Sequence, residues 1–200
     1  MRRQVEIRFW RAGKLLAGVD EAGCGPLAGP VVACALILKP NVKIKGIKDS
    51  KLLSPKEREA LFPIIKEQAL AIGIGKVSER VIDRINIQKA TLLAQKRAIL
   101  KLSPPPDLVI VDGKFSPNLK IPVRSLVGAD KKVFSCACAS IVAKVIRDRI
   151  MKRYDKIYPE YEFSFNKGYP TKRHKELLRQ FGPSPIHRQS FLPVRECLKR

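Results

Sequence analysis

Acid is scarce in this chain. Eighteen Asp and Glu stand against forty Lys and Arg in 200 residues, a formal net charge of +22. A charge of that size repels itself unless a polyanion binds, and nucleic acid is the expected partner. Histidine is scarcer still, with only His174 and His187, and the five cysteines include no CxxC pair. Zinc-ligand spacing is therefore missing. An odd set of cysteines (Cys24, Cys34, Cys136, Cys138, Cys197), set mostly among small apolar residues, argues against a disulfide framework and for a reducing cytoplasm. No apolar run approaches the roughly 20 residues that span a bilayer. The N-terminal MRRQVEIRFW also lacks an apolar signal core. A cytoplasmic protein without membrane association is expected.

What is present suits a mixed α/β core, since 45% of the residues are hydrophobic. LLAGVD (15–20) and PVVACALIL (30–38) are apolar and strand-like, and the glycine-rich stretch between them suggests a hairpin. Ser54, Pro55 and Glu57 spell a capping box that opens a helix through Gln68, with Pro63 placed to kink it. AIGIGKV (71–77) alternates as a strand does. Residues 78–101 are expected to be helical, broken near Asn86 and stopped by the prolines at 104–106. DLVIVD (107–112) and IPVRSLV (121–127) are further strands. Residues 132–154 contain neither Gly nor Pro, and their small residues predict a helix packed closely on a sheet. From Pro159 the chain is basic and proline-punctuated, with one more helix at 171–181. A core over 1–154 and an extension over 155–200, forming one compact unit, is the expected organisation.

In so basic a chain the position of each acid is informative. Asp20 and Glu21 end one predicted strand, Asp112 ends another, and Asp130 precedes the long small-residue helix. Open α/β sheets place their sites at such junctions. One such aspartate can be a simple turn former. Four acids at three junctions would repel one another unless a cation joined them. All-oxygen ligands favour Mg²⁺ or Mn²⁺. Two such ions in a basic protein suit hydrolysis of a phosphodiester. Asp20, Glu21, Asp112 and Asp130 are thus candidate metal ligands and catalytic residues, with no general base singled out. Glu57, Glu59, Glu67, Asp155, Glu160 and Glu176 lie beside lysines and arginines, where surface pairing accounts for them. Gly23 and Gly25 either permit a tight hairpin or let peptide groups approach a sugar–phosphate backbone and test for a 2′-hydroxyl.

At this point GVDEAGCGPLAGPVV (18–32), DSKLLSPKERE (49–59), INIQKATLLA (85–94), LVIVDGKF (108–115), GADKKVFSCACASIVAKVIRDRIM (128–151), KGYPTKRH (167–174) and FGPSPIHRQSF (181–191) together resemble type 2 ribonuclease H, the ribonuclease HII family. The resemblance implies an RNase H-like mixed sheet flanked by helices, with a C-terminal helical extension over the substrate groove. It implies an endonuclease that cuts the RNA strand of RNA–DNA hybrids and incises 5′ of ribonucleotides embedded in duplex DNA. Its products carry 5′-phosphate and 3′-hydroxyl ends, as in ribonucleotide excision repair. It makes Asp20, Glu21, Asp112 and Asp130 the metal site for Mg²⁺ or Mn²⁺. It also makes Gly23, Cys24, Gly25, Lys51 and Tyr169 substrate-binding residues, with Tyr169 stacked on the deoxyribose after the ribonucleotide and Lys51 near phosphates. Lys144, Arg147 and Lys172 either line the same groove or lie on a solvated face. His174 and His187 are expected to pack or hydrogen-bond, without chemistry. A monomer is expected.

Two positions depart from the family pattern. Cys24 stands where glycine–arginine–glycine is usual, so a bidentate phosphate contact is lost. KGYPT stands where KGYGT is common. The related ribonuclease HIII often carries a small residue at the first position and prefers longer RNA tracts, but usually bears an N-terminal domain. Only seventeen residues precede Gly18 here. A non-catalytic RNA-binding protein and a junction resolvase with the same core fold compete with this reading. The RNA-binding protein explains the charge but not the acids at strand ends.

Overall fold

The two most apolar stretches sit at the centre of the sheet. A computed structural model describes residues 4–198, with Leu16–Ala22 (β1) and Val31–Leu38 (β2) paired antiparallel and Asp20 opposite Cys34. Every residue of β2 is buried, because helices cover both faces of the sheet. Ala69–Val77 (β3) pairs antiparallel with β2, Leu108–Asp112 (β4) parallel with β1, and Val123–Leu126 (β5) parallel with β4. The strand order is β3-β2-β1-β4-β5. This is the expected mixed sheet flanked by helices. The expected two-strand hairpin proves wider than a tight turn: eight residues, 23–30, separate β1 from β2.

Gln4–Arg11 forms a helix (α1) that no pattern in the sequence predicted. Its buried Glu6 carboxylate accepts from the Ser135 N–H at 2.8 Å and the Ser135 hydroxyl at 3.1 Å. Pro55–Gln68 (α2) begins with the Ser54–Glu57 capping box, and Pro63 lies inside it without ending it. Glu79–Ile99 (α3) is interrupted at Asn86, whose φ of 65° is non-helical. The Asn86 side chain accepts from the Lys89 N–H at 3.0 Å and so caps the second segment. The helix expected over 132–154 is Phe134–Ile157 (α5), preceded by a short helix, Ala129–Lys132 (α4), and extended Val133.

One face of the sheet packs on α2 and α5, the other on α3. The second contact is very close. A Cβ on Gly75 would lie 1.8 Å from the Ala94 carbonyl oxygen, so only glycine lets α3 settle there. Beyond α5 come Phe163–Asn166 (α6), Lys172–Phe181 (α7) and Leu192–Leu198 (α8). Helix α5 runs through residue 154, where the core was expected to end. The segment that follows binds back to the loop between β1 and β2. Leu27 N–H donates to the Gly168 carbonyl at 2.7 Å, Gly29 N–H to Ile186 at 2.8 Å, and Arg188 N–H to Leu27 at 2.8 Å.

Candidate active site

The parallel pairing of β1 and β4 sets Val19 beside Val111, so the residues that follow, Asp20 and Asp112, emerge together at the strand ends. The Ala129 N–H donates to Asp112 Oδ1 at 2.9 Å, fixing the start of α4 over the same point. Asp130 is thereby delivered to the pair. Asp20, Asp112 and Asp130 each offer a carboxylate oxygen, all within 4.8 Å of one another. An all-oxygen set of this spread fits a hard divalent cation.

Charge and burial both work against leaving that cluster bare. Burial pushes the Asp20 carboxyl well above its ordinary range, and the charges of Glu21 and Asp112 push the same way, against hydrogen bonds from Ser140 and the Glu21 N–H. Burial likewise raises Asp130, helped by Asp112 and Asp49 and opposed by Lys51 and Lys131. A bound cation relieves both penalties.

Glu21 stands apart from the triad. Adjacent strand residues point to opposite faces, so Glu21 turns toward α3. There Gln95 Nε2 donates to its Oε2 at 2.8 Å and the Cys24 thiol to its Oε1 at 3.5 Å. Burial raises this carboxyl too, with the Gln95 and Cys24 hydrogen bonds opposing. Thr91 lies 3.4 Å from the Cys24 sulfur, and Thr91 and Gln95 share a face of α3 by their spacing of four. Burial and the Glu21 charge push the Cys24 thiol up to about 12, so at neutral pH it is a hydrogen-bond donor and no nucleophile.

Two depressions meet along Glu21, Cys24 and Asp112. One, of about 320 Å³, is bounded by the acids Asp20, Glu21 and Asp112, the turn 23–25, Lys51, Lys144 and Tyr169. The other, of about 180 Å³, is walled by Ile87, Thr91, Leu92 and Phe115. Lys51 is carried by a short 3₁₀ turn, Ser50–Leu52, whose Asp49 cap accepts the Lys51 N–H at 2.9 Å. The Tyr169 ring has Lys144 Nζ at 5.2 Å and the Arg147 guanidinium carbon at 5.6 Å from its centre. Buried Asp148, which the sequence did not single out, holds Lys144 at 2.7 Å. Lys172 is exposed at the first position of α7.

Arg147 corrects the expectation of a groove-lining or solvated residue. It is wholly buried and donates to the carbonyls of Pro30 at 3.1 Å, Lys167 at 2.9 Å and Ala28 at 3.0 Å. Arg188, equally buried, donates to Gly23 at 2.6 Å, Cys24 at 3.2 Å and Gly29 at 2.8 Å. In a trans peptide the N–H points away from the C=O. Drawing the Gly23 and Cys24 carbonyls onto Arg188 therefore turns the Cys24 and Gly25 N–H groups the other way. Neither N–H has a hydrogen-bond partner among the described residues. A Cβ on Gly23, where φ is 105°, would meet Arg147 at 2.3 Å, whereas Gly25 has nothing within 4 Å of that position. Gly23 is required by packing, and Gly25 leaves open space above two free donors. Gln95, Asp148 and Arg188 were missed because nothing local marks them, Arg188 lying within FGPSPIHRQSF in a chain rich in arginine, and Arg147 was named but not as a buried strut.

Residues 17–194 match the family Ribonuclease HII. Ribonuclease HII of Lactobacillus gasseri is 50% identical over 194 residues, covering 97% of this chain and 77% of that one. That of Nitrosococcus oceani is 50% identical over 187 residues, covering 94% and 93%. The chain belongs to the ribonuclease HII family. It is accordingly a ribonuclease H endonuclease of RNA–DNA hybrids that works with a divalent metal. The crystal structure of ribonuclease H2 from Pyrococcus horikoshii OT3 superposes with a TM-score of 0.79 at 28% identity, covering 93% of this chain and 98% of that one. Bst-RNase HIII in complex with Mn²⁺ has the same fold, with a TM-score of 0.74 at 18% identity over 93% of this chain and 70% of that one. No helix among the described residues is long and apolar enough to cross a membrane.

Proposed function

We propose that the protein cleaves the RNA strand of RNA–DNA hybrids and incises 5′ of single ribonucleotides in duplex DNA, leaving 5′-phosphate and 3′-hydroxyl ends. The observation that carries this reading is the juxtaposition of Asp20, Glu21 and Asp112 with the glycine turn and Tyr169 in one depression, with an Asp130 oxygen within 4.8 Å of those of Asp20 and Asp112. Asp20, Asp112 and Asp130 hold Mg²⁺ or Mn²⁺, with Glu21 completing the set at the edge. A pair of such ions, when bound, supplies an activated water and stabilises the leaving oxygen. The chain's own residues provide position. The Cys24 and Gly25 N–H groups donate to the ribose 2′-hydroxyl, Lys51 faces the phosphates, and Tyr169 stacks on the next sugar, where a 2′-hydroxyl would clash. The groove accommodates duplex nucleic acid, and the protein acts as a monomer in the cytoplasm, in ribonucleotide excision repair.

The decisive experiment maps cleavage of a duplex carrying one ribonucleotide, a uniform hybrid and a four-way junction, in Mg²⁺ and in Mn²⁺. Incision 5′ of the lone ribonucleotide is expected. Asp112→Asn should lower kcat by at least about a thousandfold while substrate binding persists. Normal cleavage by Asp112→Asn would refute the metal assignment, and cutting confined to the junction would refute the substrate. One observation favours a second reading, a hybrid endonuclease like ribonuclease HIII without single-ribonucleotide preference: Cys24 presents a neutral thiol where a phosphate-binding arginine is usual.

A further inference from the structure

His174 and His187 are buried, lie outside the carboxylate cluster, and have no part in the chemistry above. Their hydrogen bonds nonetheless admit only one arrangement of protons. The Ser184 N–H points at His187 Nδ1 at 2.9 Å, so Nδ1 must accept, and Nε2 of the same neutral ring must carry the proton. His187 Nε2 lies 3.1 Å from His174 Nε2, which therefore accepts. His174 Nδ1 is left as the donor, and it meets the Tyr169 carbonyl oxygen at 2.9 Å. The chain runs Ser184 N–H to His187 to His174 to Tyr169, with the Ser184 hydroxyl, 2.8 Å from His187 Nδ1, as a second donor to that nitrogen. Aromatic walls keep it dry: the Tyr161 ring lies 4.8 Å from His187 and the Phe163 ring 5.5 Å from His174, centre to centre.

We infer that the His174–His187 pair positions Tyr169 for sugar recognition, as a proton-ordered strut between the 184–188 segment and the loop that carries the ring. The inference rests on the proposed role of Tyr169. The strut also couples two substrate-reading elements. His187 is followed directly by Arg188, whose guanidinium holds the Gly23 and Cys24 carbonyls. One dipeptide thus sets the ring on one side of the groove and the free N–H pair on the other. The same loop is tied down at its neighbours, by the Leu27 N–H on the Gly168 carbonyl at 2.7 Å and by Arg147 on the Lys167 carbonyl at 2.9 Å, so it remains in place without the strut, and what is lost is the height of the Tyr169 ring over the sugar.

The test combines spectroscopy with a mutant cycle. Two-bond ¹H–¹⁵N correlation spectra of the full-length protein at neutral pH should show both rings neutral, His174 as the Nδ1–H tautomer and His187 as the Nε2–H tautomer. Either ring charged, or in the other tautomer, would overturn the strut. In kinetics, His187→Leu should lower the ratio of single-ribonucleotide to uniform-hybrid kcat/KM by about tenfold, the scale of one lost buried hydrogen bond. His187→Gln, which keeps a donor toward His174, should recover most of that ratio. Combined with Tyr169→Ala, His187→Leu should add little further loss. A residue needed only for folding would lower both substrates alike and add fully, and that result would sink the inference. If Tyr169→Ala alone lowers both substrates equally, the sugar-sensing role falls, and the tautomers still report separately on the strut.

Discussion

Cys24 shows how one side chain can serve its neighbours while leaving its own expected contact unmade. Its thiol donates to Glu21 and sits against Thr91, and its N–H belongs to the free pair of the glycine turn. An arginine at this position would leave the peptide groups where Arg188 holds them and add a charged fork for a phosphate. Cys24→Arg is therefore expected to raise the ratio of single-ribonucleotide to hybrid cleavage roughly three- to tenfold. An unchanged ratio would mean that the backbone alone does the reading. Gln95 acts in the same neighbourhood from the other side. By donating to Glu21 Oε2 it fixes that carboxylate at the edge of the aspartate cluster, where its charge still helps to raise Asp20.

Helix α3 reaches Glu21 through two local devices. The Asn86 break redirects its second segment, and the glycines of β3 let that segment lie directly on the sheet. Gly75→Ala would press a methyl group into the Ala94 carbonyl, and because the obstacle is backbone it cannot swing aside. The expected cost is about 3 kcal/mol, which in a chain of this size lowers Tm by roughly 6–12 °C. A thermal melt checks it; a Tm within a degree or two of the parent would show that α3 can shift. At the other end of the fold, Ser135 in the first turn of α5 donates its N–H and hydroxyl to the Glu6 carboxylate of α1, so the N-terminal helix is joined to the helix that roofs β1.

Across the molecule, the charge predicts how binding responds to salt. Phosphate contacts release counterions, so affinity for hybrid should fall linearly on a log–log plot as salt rises. Lys51→Ala should make that line shallower by about one contact; an identical slope would remove Lys51 from the phosphate path. The histidine pair predicts a response to acid. Burial and the neighbouring His174 push His187 down to about 3, and burial lowers His174 as well. The unfolded chain protonates these rings near the ordinary value of about 6.5, so below that pH the unfolded state binds more protons. Stability is lost as pH falls from about 6.5 toward 3. The raised carboxyls of Asp20, Glu21 and Asp130 act with the opposite sign, because they take up protons while folded. Comparing Tm at pH 7 and pH 5 in the parent and in His187→Gln isolates the histidine contribution, and the variant should show the smaller fall.

Much of this was legible beforehand because it is local. Apolar strands ending in acid, the Ser54–Glu57 capping box and the break at Asn86 each depend on residues a few positions apart, and the acids stood out against a background of lysine and arginine. Other features depend on partners distant in the chain. Arg188 and Gly29 are separated by 159 positions, Glu6 and Ser135 by 129, and Gln95 and Glu21 by 74. Arg58, Arg147 and Arg188 became internal struts among the described residues, and two histidines became a single hydrogen-bonded unit. The physical reason is desolvation. Sequence alone determined which groups are polar and which strands are apolar. Only folding decided which polar groups left water, and a buried donor must then find an acceptor wherever the tertiary structure has placed one.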